Sequence, residues 1–214
     1  MSDVQKPTAV ERFAGILPVE AALTALAAAA GTPLAALLPV LGKSLAAERH
    51  KHRVERTLRE MSNVLEAQGA QLERLTDQQY KFINEAVLAL LHTTSESKMA
   101  YLKNVVKNSL TAIELHDQEA VFLSRIVRDI SADEAQFLIS NFEFERLWLS
   151  DTDPAENERK TLAVKPLTPE GRVVLGLVTL GLVTTAEPTW DDSGLLRFTP
   201  MAGKLIALLQ DAGG

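Results

Sequence analysis

Cysteine is absent from the 214 residues, and its absence removes disulfides, thiolate catalysis and any Cys-ligated zinc or iron–sulfur centre from consideration. No glycine-rich loop of the kind that cradles phosphate occurs. A surplus of positive charge is missing as well. The 22 basic and 28 acidic side chains leave a net charge of -6, which favours solubility and argues against broad attraction to nucleic acid. The amino terminus lacks the basic region of a secretory signal, since Lys6 and Arg12 are balanced by Asp3 and Glu11. A cytoplasmic location is expected, with a peripheral or inserted association at the inner membrane face left open.

What the chain does have is helical patterning. Residues 21–42 run for 22 positions without a charge, long enough for a membrane-spanning candidate. Nine of the 16 residues 21–36 are alanine, however, and Gly31, Pro33 and Pro39 interrupt any helix there. The expectation for residues 1–42 is an apolar helical hairpin, either buried or membrane-inserting, with membrane contact open through residues 13–42. A long polar helix follows. Within it Val54, Leu58, Met61, Leu65, Leu72 and Leu75 fall on a three-four spacing with Gln68 in the seam, the stripe of a packed or coiled-coil helix.

Capping signals divide the chain after that. Thr76 with Gln79 and Ser131 with Glu134 have the capping-box spacing, and Thr93-Thr94-Ser95 should end one helix before another begins. The inward faces are expected to carry Phe82, Ile83, Ala86, Val87, Leu90 and Leu91; then Met99, Leu102, Val105, Val106, Leu110 and Ile113. The next two follow with Ala120, Val121, Leu123, Ile126, Val127 and Ile130, and then Phe137, Leu138, Phe142 and Leu147. Residues 43–149 therefore predict a helical bundle. Residues 150–160 (SDTDPAENERK) hold one alanine as their only apolar side chain and predict a surface linker.

Residues 161–214 change pattern. Thr168-Pro169-Glu170 starts a helix that should stop at Gly181. Two β-like pieces around the turn-rich residues 190–194 predict a hairpin, and Thr199-Pro200 starts a final helix. Helix, LVTLGLV (177–183), hairpin and FTPMAGKLIALL (198–209) look like the back half of a winged-helix module. The fold class expected is thus mainly α, with a helical bundle followed by a small winged-helix-like α+β module. Together with FLSRIVRDISADEAQFLISNF (122–142), these segments are similar to the abortive-infection alpha (Abi-alpha) family of bacterial proteins. That resemblance implies a helical protein of antiviral defence against phage, with no catalytic residues to carry over.

Each candidate site has a plain structural alternative. Residues 161–214 carry Lys165, Arg172, Arg197 and Lys204 against Glu170, Glu187, Asp191, Asp192 and Asp211, and phosphate contacts usually need several cations on one face. Nucleic acid is not the expected partner. A denser basic patch, Lys43, Arg49, Lys51, Arg53, Arg56 and Arg59, suits an anionic membrane, or else is a solvated helix face with spaced ion pairs. His50 and His52 point to nearly opposite sides of a helix and read as surface residues rather than as a metal pair. His92 and His116 sit at expected helix ends. Tyr80, Lys98, Tyr101 and Lys103 read as amphipathic boundary residues. The leading expectation is a non-enzymatic defence protein that needs no cofactor or metal and works by self-association or partner binding, with the stripe from Leu58 to Leu75 either packed within the protein or paired with another chain. A winged-helix transcriptional regulator is the alternative.

Overall fold

The computed structural model describes residues 45–110, 117–151, 160–186 and 194–211. The expected apolar hairpin of residues 1–42, together with Lys43, Ile113, His116 and most of the residues 150–160 and 190–194, lies outside them. Among the described residues the chain is mainly helical, with a small four-strand mixed sheet in its C-terminal part. The elements are α1 (Leu45–Ala67), α2 (Gly69–Leu72), α3 (Asp77–His92), α4 (Glu96–Ser109), α5 (Asp117–Asp129) and α6 (Ala132–Asn141). They are followed by β1 (Arg146–Leu149), β2 (Thr161–Val164), α7 (Pro169–Thr179), β3 (Val183–Thr185), β4 (Leu195–Phe198) and α8 (Pro200–Leu209).

Helix starts follow the capping chemistry. At α3 the Thr76 hydroxyl accepts from the Gln79 N–H while the Gln79 side chain accepts from the Thr76 N–H, and Ser131 with Glu134 does the same at α6. Gln79 has a second task, since its amide nitrogen donates to the Ser109 carbonyl at 2.9 Å and so ties α3 to the end of α4. The long polar helix is shorter than its stripe suggests. It ends at Ala67, Gln68 closes back on Leu65 through a three-residue bond of 3.1 Å, and Gly69 opens the short α2. A glycine beside a polar seam residue supplies too little burial to hold one helix through that point.

One hydrophobic core runs through the described residues. Phe82, Ile83 and Leu90 of α3, Leu102 of α4, Leu123 of α5 and Leu138 of α6 are fully buried, and so are Leu147, Leu177, Leu182, Leu205 and Leu208 of the C-terminal part. Val121 departs from the expected inward face of α5 and is exposed, because the buried arc of that helix is set by Ala120, Leu123, Ser124, Ile126 and Val127. Phe142 is likewise exposed, although its ring stands 5.4 Å from that of Phe198 and covers Gly203. The buried polar side chains Thr57, Ser109 and Ser124 are satisfied by the carbonyl four residues back, those of Arg53, Val105 and Ala120.

The sheet has the order β2-β1-β4-β3. β3 and β4 form the expected antiparallel hairpin, with Val183 opposite Phe198. β1 pairs antiparallel with β4 and parallel with β2, placing Leu147 beside both Leu196 and Leu162. The sheet thus joins residues on both sides of 150–160. α7 opens on Thr168, which caps the Gly171 N–H, and closes on Gly181 with φ 69°. Leu182 N–H bonds Leu177 O and Gly181 N–H bonds Val178 O, both at 2.9 Å, the bonding pair of a Schellman ending. Thr199 precedes α8, but its hydroxyl donates to Gly181 O at 3.1 Å instead of capping its own helix. α8 thereby begins against the end of α7.

Candidate interaction surfaces

α7 presents an outer side on which apolar groups meet water. Val174 and Leu177 point inward and are fully buried, whereas Leu175 and Val178 are 47% and 39% exposed. Leu167, in the turn before the helix, is 88% exposed. Arg172 is the one cation of α7 and is also exposed. Residues 173–178 hold no polar side chain, so the sequence offers little contrast between the inner and outer sides of the helix there. The readable signal was that both fall off the arc set by Val173, Val174, Leu177 and Leu180.

A second apolar area lies on α5. Val121 and Phe122 are 37% and 38% exposed and line a groove of about 300 Å³ with Asp117, Gln118 and Arg125. The Phe122 ring lies over Gly181, so close that a Cβ there would stand 3.1 Å from Phe122 Cζ. Gly181 is thus bonded to Val178 on one side and covered by Phe122 on the other, which brings the α5 groove up to the last turn of α7.

The residues singled out between Arg49 and Leu75 divide into two sets. Met61, Leu65 and Leu72 are buried in the core of this chain, and Leu58 and Leu75 pack against that core half-buried. Gln68 is half-buried with a side-chain oxygen that meets no partner. Of the basic set, Arg53 and Arg56 approach Glu96 at 4.0 and 3.7 Å, and Lys51 approaches Glu55 at 4.0 Å. Arg49 and Arg59 are exposed. Between α1 and α4 a cleft of about 280 Å³ is bordered by Arg56, Thr57, Glu60, Glu96, Met99 and Lys103, and the Lys103–Glu60 pair at 2.9 Å spans it. Each cation bordering this cleft faces a carboxylate, so the cleft has no net demand for an anion.

The remaining polar candidates are engaged separately rather than brought together. Lys98 donates to the Arg128 carbonyl at 2.7 Å at the end of α5. Burial holds its pKa below the usual lysine value, against the opposing pull of Asp129 and Glu134. Tyr101 donates to Gln136 at 2.7 Å, and burial raises its phenol pKa. Lys103 is occupied by Glu60 and Tyr80 lies exposed on α3. His52 stands 3.7 Å from Glu55, while the buried Nδ1 of His50 has no hydrogen-bond partner. Among the described residues, no group of three His, Cys, Asp or Glu side chains could hold a metal ion. Among them, too, no helix is long and apolar enough to cross a membrane. No family model, no curated protein and no solved structure matches the chain.

Proposed function

We propose that this chain is a non-enzymatic interaction protein whose C-terminal part is a winged-helix-like module that docks a protein, either a partner or a second copy, through the outer side of α7. The observation that carries this reading is the exposure of Leu175 and Val178 on the helix that a DNA-binding winged helix would place in a groove. Such a helix needs cations for phosphate, and α7 offers Arg172 alone. Exposed leucine and valine on the outer side of α7 instead suit the apolar centre of a protein interface. The winged-helix likeness is supported by the succession of α7, the β3–β4 hairpin and α8, with β1 on the far side of β4. The helices from α1 to α6 are read as a supporting bundle.

The biological setting, bacterial defence against phage of the abortive-infection kind, is carried by the short motifs in residues 122–142 and 177–209 alone. It is tested by phage plating on bacteria expressing the full chain or its Leu175→Arg, Val178→Arg variant, with both proteins checked for equal melting temperature. Protection by the wild type that the double variant loses is the expected result. Equal plaque counts with and without the wild-type protein would remove the defence reading. Equal protection by both proteins would remove the α7 surface from it. A regulator acting on DNA would instead show a salt-dependent gel shift that the same double variant strengthens, because two cations are added.

A further inference from the structure

The outward face of α1 carries a pattern that the protein-docking reading does not use. Arg49, His52, Arg56 and Arg59 follow one another at steps of three, four and three residues, which stacks them on one side of the helix. Val54, Met61 and Leu65 occupy the opposite side and are buried. All four stripe residues are exposed. Arg49 and Arg59 meet no charged partner among the described residues, whereas Arg56 is paired with Glu96 and His52 stands by Glu55, each at 3.7 Å, so the two outer arginines are the unpaired charges of the stripe. The stripe spans eleven residues, about 15 Å of straight helix from the first to the last. It is a row of three arginines and a histidine held outward by a core on the other face.

We infer that α1 lies along an anionic lipid surface through this stripe. Three features select lipid over the other polyanions. The first is that residues 21–42, just before α1, carry no charge, and Lys43 is the one charged residue between them and the start of the helix. An uncharged apolar segment followed by cations is the order in which a chain meets the interior and then the headgroups of a bilayer. A second feature is the lack of any Phe, Tyr or Trp in α1, which leaves single-stranded nucleic acid no ring on which to stack. The third is charge: the chain as a whole is at -6, so the attraction is local, as a headgroup plane within a Debye length requires and a long polyanion does not.

The test is flotation of the full-length protein with vesicles of phosphatidylcholine alone or of phosphatidylcholine and phosphatidylglycerol at three to one. Arg49→Gln, Arg56→Gln, Arg59→Gln is compared with a variant of the same charge change elsewhere, Lys81→Gln, Arg125→Gln, Arg197→Gln. Each stripe arginine should contribute about fivefold to partitioning at moderate salt, so the triple variant should bind anionic vesicles on the order of 100-fold more weakly. The control variant should stay within about twofold of the wild type. Equal binding to both vesicle types, equal losses in the two variants, or no vesicle binding at all would overturn the inference. Undiminished binding by the stripe variant would do so too, assigning any attachment to residues 21–42 alone. Binding of a DNA duplex that the stripe mutations abolish, without vesicle binding, would replace lipid with nucleic acid.

Discussion

Asn108 is the residue on which the attachment of the last helix turns. It is buried on α4, and its amide nitrogen lies 2.7, 3.0 and 3.3 Å from the carbonyls of Gln210, Leu208 and Ala207. Asn104, one turn earlier, donates to Leu209 at 2.9 Å. The final carbonyls of a helix have no partner within it, so these two amides supply a C-cap from about 100 residues away in the chain. Asn108→Ala should cost about 2–3 kcal/mol, since it leaves buried carbonyls unpaired, with the urea midpoint as the readout. A loss smaller than about 0.5 kcal/mol would mean that water replaces the amide. Gly181→Ala should also destabilise, by about 1–2 kcal/mol, because a Cβ is disfavoured at its φ of 69°. There the added methyl also presses on Phe122, so the same substitution should alter the environment of that ring in an NMR spectrum.

At the scale of elements, Gly69 marks where local preference lost to geometry. Its surroundings are open, with no atom within 4 Å of a Cβ built on it, and its φ is not in the left-handed region. Gly69→Ala should therefore stabilise the protein by about 0.5–1 kcal/mol, visible as a higher melting temperature. A loss of stability would mean that the break between α1 and α2 depends on glycine itself. The helices were legible in the sequence because their starts are written in side chains: Thr76 with Gln79, Ser95, Ser131 with Glu134, and Thr168 before Pro169. The hairpin was legible from its turn-rich centre. β1 and β2 were not, since Arg146–Leu149 and Thr161–Val164 are four residues each and show no alternation long enough to distinguish strand from loop. β1 pairs with β4, which lies far along the chain, and β2 pairs with β1. The tie from Asn108 to α8 was equally hidden, although two asparagines four apart on an inward helix face are a signal that buried acceptors wait nearby.

For the whole molecule, three carboxylates among the described residues contribute to acid sensitivity. The hydrogen bond from Arg128 holds the Asp129 pKa below its usual value, and those from Lys160 and Lys107 do the same for Glu145 and Asp211. Their folded pKa values lie below the unfolded ones. As pH falls through that window the unfolded chain takes up protons first, and the stabilisation present at neutral pH is lost. Asp211→Asn should flatten the decline of the urea midpoint below about pH 4, since it removes one such group. An unchanged slope would show that the Lys107–Asp211 pair is solvated away.

The central proposal, a protein-docking face on α7, is tested most directly by placing a photo-crosslinking residue at position 175 of the full chain in living bacteria. The same residue is introduced at exposed Asn84 of α3 as a reference. A discrete protein adduct at position 175, either a second copy or one partner, and none at position 84, is the expected result. Adducts to DNA at position 175, or the same protein adducts at both positions, would contradict the proposal.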